Sequence, residues 1–413
     1  MLISFSISNF LSFKEERTLS MEASSISEHK DSLIVRPNGK FLRSAVLYGA
    51  NSSGKTNFIS ALSRMKMVIL SSVRLNENDK LKYSPFLLSD SSMKAPTRFE
   101  MEFMTDNETS YRYGFSYTED EIIEEWLFCQ IKNKSEYPLF IRTEEGIAVS
   151  KSFKEGLGKE ELTNSNRLFL SLVAQLNGKT SQKIIEWFKN YEVISGLDQQ
   201  DYLDKSLKMI QDQSAGYNES VSLFHNMKLG FNSIFVEEEK NKQKELERYL
   251  LLGKNLNYTV KTIHNKYGAD GNITGTIVFD KEEQESAGSN KIIDLSGPLF
   301  TTLRNGGLLI VDELDAKLHP ILTRQLVRLF NDAEENPNNA QLIFATHDTN
   351  LLSTEIFRRD QIWFTEKDDV EQTDLYSLVE FKLPDGTIPR KDSNLERNYI
   401  RGRYGAIPFI TFD

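Results

Sequence analysis

The segment Gly49-Ala50-Asn51-Ser52-Ser53-Gly54-Lys55-Thr56 spaces two glycines, a lysine and a hydroxyl in the pattern G-x-x-x-x-G-K-[ST]. Glycines at those positions let the backbone wrap a polyphosphate, so that successive N–H groups and a helix amino terminus face its negative charge. Lys55 is then expected to reach the terminal phosphates, and the Thr56 hydroxyl to join the shell of a Mg²⁺ ion. The plain alternative is a Gly/Ser turn ahead of a core helix. A complete motif between a strand and a helix argues against it.

A second stretch supplies carboxylates. Leu308-Leu309-Ile310-Val311-Asp312-Glu313 is four apolar residues closed by two acids, which reads as a buried strand delivering carboxylates to the carboxyl edge of a sheet. Asp312 would hold the Mg²⁺ water shell. Glu313, one residue on and pointing elsewhere, would polarise an attacking water. Gln341-Leu342-Ile343-Phe344-Ala345-Thr346-His347 repeats the arrangement with a histidine at its end. An imidazole there can hydrogen-bond a γ-phosphate and the attacking water. Solvated acids after a strand and a satisfied core histidine are the ordinary readings of either stretch alone; beside an intact phosphate loop both point to hydrolysis of ATP.

These groups need elements to position them. Ala45-Val46-Leu47-Tyr48 reads as a buried strand, and Phe58, Ile59, Leu62, Met65 and Ile69 recur at helical spacing within Asn57 to Ser72. Residues 1 to 48 alternate short strands with turns such as Pro37-Asn38-Gly39. From Pro96 to Leu139 period two returns (Phe99, Met101, Phe103; Tyr111, Tyr113, Phe115; Ile122, Trp126, Phe128), predicting an antiparallel sheet with one wet face. Arg167–Leu176, Thr180–Tyr191 and Glu237–Leu252 read as helices, Asp198–Ser220 as polar and poor in pattern. Tyr258–His264 and Gly275–Asp280 pair as a hairpin across Asp270-Gly271, and helix alternates with strand from 285 to 365. The expected class is α/β, a mixed sheet flanked by helices plus an antiparallel β subdomain. The expected division is a first lobe at 1–155, a mainly helical insertion at 156–255 and a second lobe at 256–413.

Composition narrows the classes. At 413 residues the chain exceeds one ordinary core, and 39% hydrophobic with 27% charged residues is usual for a globular protein. No stretch approaches the roughly 18 consecutive apolar residues of a membrane span. The opening MLISFSISNF lacks a secretory pattern, and Cys129 is alone, so a disulfide framework is excluded and a cytoplasmic location expected. A net charge of −10 argues against a histone-like nucleic-acid binder.

With these motifs in place, the chain resembles the ABC-type ATPase superfamily in the branch of SMC, RecF, RecN and overcoming-lysogenization-defect proteins, and most of all the RloA-like AAA-family ATPases often encoded in phage-defence or restriction-associated loci. The resemblance rests on Ile7-Ser8-Asn9-Phe10-Leu11-Ser12-Phe13, the phosphate loop, the acidic strand, Leu314-Asp315-Ala316-Lys317-Leu318-His319-Pro320, Thr346-His347-Asp348 and Arg401-Gly402-Arg403-Tyr404-Gly405-Ala406-Ile407-Pro408. It implies an ATPase head and a homodimer in which two heads sandwich two ATP molecules, with Asp315 in a loop at the dimer contact and each site completed by the partner's signature sequence.

Two stretches compete for that signature. Leu295-Ser296-Gly297-Pro298 looks like the transporter consensus, but a proline should not sit inside the helix that must follow. Glu285-Ser286-Ala287-Gly288-Ser289 resembles the form of this branch, which implies that Ser286 and Gly288 face the other subunit's γ-phosphate. The glutamine that many ABC ATPases place between the lobes is missing, since no Gln occurs between Thr56 and Cys129. Phe10 and Phe13 are stacking candidates for adenine or simply core.

Three functions compete on these motifs. One is an ATP-driven switch governing a separate effector, such as a nuclease of Toprim type. Another is a RecF-like DNA-binding ATPase. A self-contained nuclease is disfavoured because only 66 residues follow His347. Lys240, Lys242, Lys244 and Arg248 alternate with glutamates, the pattern of a solvated helix rather than a DNA-reading surface. Arg397, Arg401 and Arg403 cluster near the end, where the segment either buries its apolar residues or offers an anion site.

Overall fold

The computed structural model describes residues 1–132, 134–197, 202–238, 258–383, 386–390 and 392–407. In chain order the elements are β1 (Leu2–Ser8), β2 (Arg17–Ser20), β3 (Ile34–Arg36), β4 (Gly39–Phe41), β5 (Ser44–Tyr48), α1 (Lys55–Ser71), β6 (Thr97–Met104), β7 (Thr109–Tyr117), β8 (Ile122–Ile131), β9 (Tyr137–Thr143) and β10 (Gly146–Val149). There follow α2 (Phe169–Gln175), α3 (Lys179–Asn190), β11 (Glu192–Ser195), α4 (Leu203–Gln211), α5 (Tyr217–Asn226), β12 (Ser233–Glu238), β13 (Tyr258–Tyr267), β14 (Ile273–Asp280), α6 (Lys281–Gln284) and α7 (Ala287–Asn305). The remainder is β15 (Leu308–Asp312), α8 (Pro320–Asn331), β16 (Gln341–Ala345), β17 (Ile362–Lys367), β18 (Thr373–Ser377) and α9 (Leu395–Ile400).

The central sheet runs β11-β15-β16-β5-β17-β18, with every neighbouring pair parallel except β17 and β18. Parallel strands are covered on both faces, which is why Leu308–Val311 and Leu342–Phe344 are continuous apolar runs. Strand periodicity then sorts their side chains. Ala45, Leu47, Leu308, Ile310, Ile343 and Ala345 join one core with Phe58, Leu62 and Met65 of α1. Val46, Tyr48, Leu309, Val311, Leu342 and Phe344 join a second core with Leu295 and Leu299 of α7 and Leu326 and Phe330 of α8.

The first core is closed by the antiparallel sheet β10-β9-β8-β7-β6-β1-β2. Its wet face differs from the expected pattern. The register slips between Ser116 and Tyr117, so Leu127 and Cys129 rather than Trp126 and Phe128 join the core. Trp126 and Phe128 instead lie beneath the guanidinium groups of Arg98 and Arg112, at 4.3 and 4.2 Å from the ring centroids.

Packing also crosses the division drawn at 155 and 255. β11, within the span expected to be a helical insertion, is an edge strand of the central sheet, and α2 and α3 bury Phe169, Leu170, Ile184 and Phe188 in the first core. The stretch Asp198–Ser220 holds α4, whose Leu203, Leu207 and Ile210 repeat at helical spacing and bury against the second core. Glu237 and Glu238 end strand β12, and residues 239–252 of the expected Lys/Glu-rich helix lie outside the described residues. Pro298 does sit inside a helix, the 19-residue α7. The cost is met locally: the Asp294 carbonyl, which Pro298 has no N–H to bond, accepts the Ser206 hydroxyl, and Gly297 N–H donates to Ser206 Oγ at 2.9 Å. Among the described residues no helix is long and apolar enough to cross a membrane.

Candidate functional site

Three neighbouring strands of the central sheet end at the same edge. β5 runs into the phosphate loop, β16 into Thr346-His347, and β15 into Asp312-Glu313; the pairings Leu47↔Ala345 and Val311↔Phe344 put these ends level. The structure thus brings together the residues read from the two acidic-strand and phosphate-loop motifs.

The loop is held from behind. Gly54 has a φ of 115°, and a Cβ there would fall 2.3 Å from Thr373 Oγ1, so only glycine fits both the backbone and the space. Ser53 Oγ and Thr365 Oγ1 hydrogen-bond at 2.6 Å, Thr373 Oγ1 donates to the Ser53 carbonyl at 2.9 Å, and Asn57 Nδ2 donates to Ser12 Oγ at 2.7 Å. Asn51, Ser52 and Thr56 face outward and exposed, whereas Ser53, Gly54 and Lys55 are buried.

Lys55 folds back over the loop, donating to the carbonyls of Gly49 at 2.7 Å and Ala50 at 3.0 Å. Burial pushes its ammonium down to about 8, against the opposing pull of Asp312, Glu313 and Asp315. An incoming polyphosphate would offset that burial directly. His347 is held below its ordinary value by partial desolvation and then by the Lys55 charge, against the same three carboxylates. Its backbone N–H donates to Asp315 Oδ2 at 3.3 Å, tying the histidine loop to the loop after β15.

Two buried carboxylate oxygens here, Asp312 Oδ1 and Asp315 Oδ1, have no hydrogen-bond partner in the protein. Unpartnered buried carboxylate oxygens are costly unless a cation or bound water meets them. Mg²⁺ keeps most of its water and takes one or two protein oxygens beside substrate phosphates, so Asp312 with the Thr56 hydroxyl is a fitting donor set. No cluster of three or more His, Cys, Asp or Glu suited to a metal occurs among the described residues, and such a cage is not what Mg²⁺ requires here.

Glu313 has a φ of 54°, in the left-handed region that glutamate seldom adopts. Its peptide is clamped on both sides. Gly196 N–H donates to the Asp312 carbonyl at 2.5 Å, and Lys291 Nζ donates to the carbonyls of Glu313, Leu314 and Ala316 at 3.2, 3.0 and 2.6 Å. Burial depresses Lys291 to about 8.

Ser286 caps α7, its Oγ accepting from Ser289 N–H at 3.1 Å, and is exposed. Gly288 lies against the Lys317 carbonyl, 3.2 Å from where a Cβ would sit. No hydrogen bond joins either residue to the phosphate loop of the same chain among the described residues. Leu295–Pro298, the competing stretch, is wholly buried in α7. Phe10 and Phe13 are fully buried in the first core and offer no face to a base.

Sequence reasoning missed Gly196, Lys291, Thr365 and Thr373. Only Lys291 left a trace, as a charged residue opening the apolar run Ile292-Ile293. Tyr399 of α9 was also unforeseen: its ring lies 5.7 Å from that of Tyr48, its hydroxyl donates to the Ala406 carbonyl at 3.0 Å, and the Gly49 backbone hydrogen-bonds its oxygen.

The chain is similar over 91% of its length to an SMC head bound to the C-winged helix domain of ScpA, covering 98% of that chain at 13% identity and a TM-score of 0.45. The SMC head domain from Thermotoga maritima gives 14% identity and 0.43, again over 91% of this chain and 98% of that one. The recombination mediator protein RecF-ATPrS gives 12% identity and 0.30, with the same coverages. No curated protein matches the chain. Residues 44–353, the span from β5 through the histidine loop, match the family model described as "AAA domain, putative AbiEii toxin, Type IV TA system", and the chain belongs to that family.

Proposed function

We propose that the protein is an ATP-binding and ATP-hydrolysing switch that works as a homodimer and governs a separate effector, in a defence or restriction-associated setting. The observation that carries this reading is the convergence of the phosphate loop, Asp312, Glu313 and His347 on one sheet edge, with a buried Asp312 oxygen left unpartnered. Lys55 and the loop N–H groups bind and orient the phosphates. Thr56 and Asp312 would hold Mg²⁺, which supplies charge neutralisation of the β- and γ-phosphates when bound. Glu313 takes the proton of the attacking water, and His347 is placed to hydrogen-bond the γ-phosphate. Ser286, an exposed helix cap with no hydrogen bond to its own phosphate loop among the described residues, suits an anion offered by another subunit. The effector half of the reading draws on the family's description, which names a toxin and a Type IV TA system.

Phosphate release, binding of a fluorescent ATP analogue and sedimentation test it together. Glu313→Gln should keep nucleotide affinity, lose about 10²- to 10⁴-fold in turnover and accumulate an ATP-dependent dimer. Lys55→Ala should lose binding, and Ser286→Arg should bind ATP yet stay monomeric. Equal turnover in wild type and Glu313→Gln would remove Glu313 from the mechanism; a Ser286→Arg protein that dimerises normally would remove the composite site.

A further inference from the structure

Lys291 is fully buried, and its ammonium pairs with no carboxylate within 4.0 Å among the described residues. It spends its three N–H bonds on three carbonyls of one short loop, those of Glu313, Leu314 and Ala316. The same loop is also met by the Ala345 carbonyl, which accepts from Leu314 N–H at 3.1 Å, and by His347 N–H, which donates to Asp315 Oδ2 at 3.3 Å, while Ala316 N–H donates to the Glu313 carbonyl at 3.1 Å within it. A positive φ at a glutamate persists only where its surroundings enforce it. The Lys291 ammonium enforces it from outside the loop together with the Gly196 N–H on the Asp312 carbonyl, and it holds three of the loop's carbonyls at once, that of Glu313 included.

The position of Lys291 gives this contact its meaning. It lies in α7, five positions after Ser286, the residue that caps that helix and presents its hydroxyl outward. A rigid helix end cannot shift on meeting an anion without carrying Lys291 with it, and the loop carbonyls follow. We propose that Lys291 is a positioning residue that transmits engagement of the Ser286 cap by the partner subunit's nucleotide to the same chain's own Glu313, so that each subunit hydrolyses ATP only once its signature is occupied in trans. This rests on the composite-site reading above. It adds to that reading a direction of coupling, from the signature offered to a partner back to the chain's own water-activating group.

Mixed dimers separate the possibilities. A dimer of one wild-type and one Glu313→Gln subunit, purified through two different tags, has one competent site and serves as reference. Pairing a Lys291→Met subunit with a Glu313→Gln subunit leaves the only intact Glu313 in the Lys291→Met chain, facing an intact signature from its partner. If Lys291 acts on its own Glu313, this dimer should lose about 100-fold in turnover relative to the reference, the scale expected for small misplacement of a catalytic group. The fluorescent ATP analogue should bind within about threefold of wild type, and Lys291→Arg, which keeps the charge and donors, should restore part of the rate. Turnover equal to the reference dimer would overturn the proposal, since Lys291 would then serve only the signature presented to the partner. Parallel loss of melting temperature, affinity and turnover in both the Met and the Arg variants would overturn it as well, by reducing Lys291 to a packing role. If the reference dimer fails to form with ATP, the composite site fails; turnover of Lys291→Met alone then decides whether Lys291 positions Glu313 at all, with an unchanged rate counting against it.

Discussion

Glu313 is the residue on which several independent contacts converge, and Gly196 is the least obvious of them. Gly196 lies at the end of β11, beside Asp312, and a Cβ on it would fall 1.9 Å from the Glu313 carbonyl oxygen. No rotamer change relieves a clash with backbone, so Gly196→Ala must move the β15 end or the β11 edge. The expected outcome is a fall in turnover of at least tenfold with nucleotide affinity largely kept, because the phosphate loop sits two strands away. Steady-state kinetics beside ATP-analogue binding checks it; unchanged turnover would show that the loop tolerates the shift. The phosphate loop and the two acids were legible in the sequence because their chemistry is consecutive: neighbouring residues share one turn or one strand end. Gly196 and Lys291 were not, since each acts on backbone atoms brought to it from more than twenty residues away, and a single sequence carries no sign of such contacts.

At the level of elements, the same contrast explains both what was anticipated and what was not. Parallel strands and α1 announced themselves through unbroken or helically spaced apolar residues, because burial on both faces leaves few polar positions to blur the pattern. α4 did not, since its buried Leu203, Leu207 and Ile210 are separated by Asp204, Lys205 and Lys208. Pro298 misled for a physical reason: the missing N–H was met by a hydroxyl from another helix. Ser206 accepts from Gly297 N–H and donates to the Asp294 carbonyl, and a Cβ on Gly297 would lie 2.5 Å from Ser206 N, so α4 approaches α7 closely there. Ser206→Ala therefore strands a buried donor and a buried acceptor, and should lower unfolding stability by about 1–3 kcal/mol in urea titrations. ATP affinity should be unchanged, as α4 makes no contact with the phosphate loop among the described hydrogen bonds. A stability equal to wild type would mean that the proline's missing hydrogen bond is met in another way.

Across the whole molecule, the carboxyl-terminal segment closes the second core beside the nucleotide edge. Tyr399 stacks on Phe364 at 5.5 Å, Tyr404 is 1% exposed with its carbonyl accepting from Tyr376 at 2.7 Å, and Thr349, two residues after His347, donates to Glu396 at 3.1 Å. The segment thus buries its aromatic residues, while Arg397, Arg401 and Arg403 remain exposed and form no ion pair within 4.0 Å among the described residues. The two halves of the tail should separate experimentally. Truncation after Asn398 removes Tyr399 and Tyr404, each worth about 3–5 kcal/mol as a buried aromatic, and also the contact with Gly49; melting temperature and ATP turnover should fall together. Replacing Arg397, Arg401 and Arg403 by alanine removes only exposed charge, so stability should stay within about 0.5 kcal/mol per residue and turnover should be unchanged. In a chain of net charge −10, three exposed arginines that form no ion pair within 4.0 Å among the described residues are a surface suited to an acidic partner. If the proposed separate effector docks there, co-purification from cells expressing the neighbouring genes should retain a partner with wild type and lose it with the triple variant. Thermal unfolding, phosphate release and pull-down, run on the same two proteins, decide the matter: a triple variant that melts several degrees lower assigns the arginines to packing, and one that keeps every partner removes them from recognition.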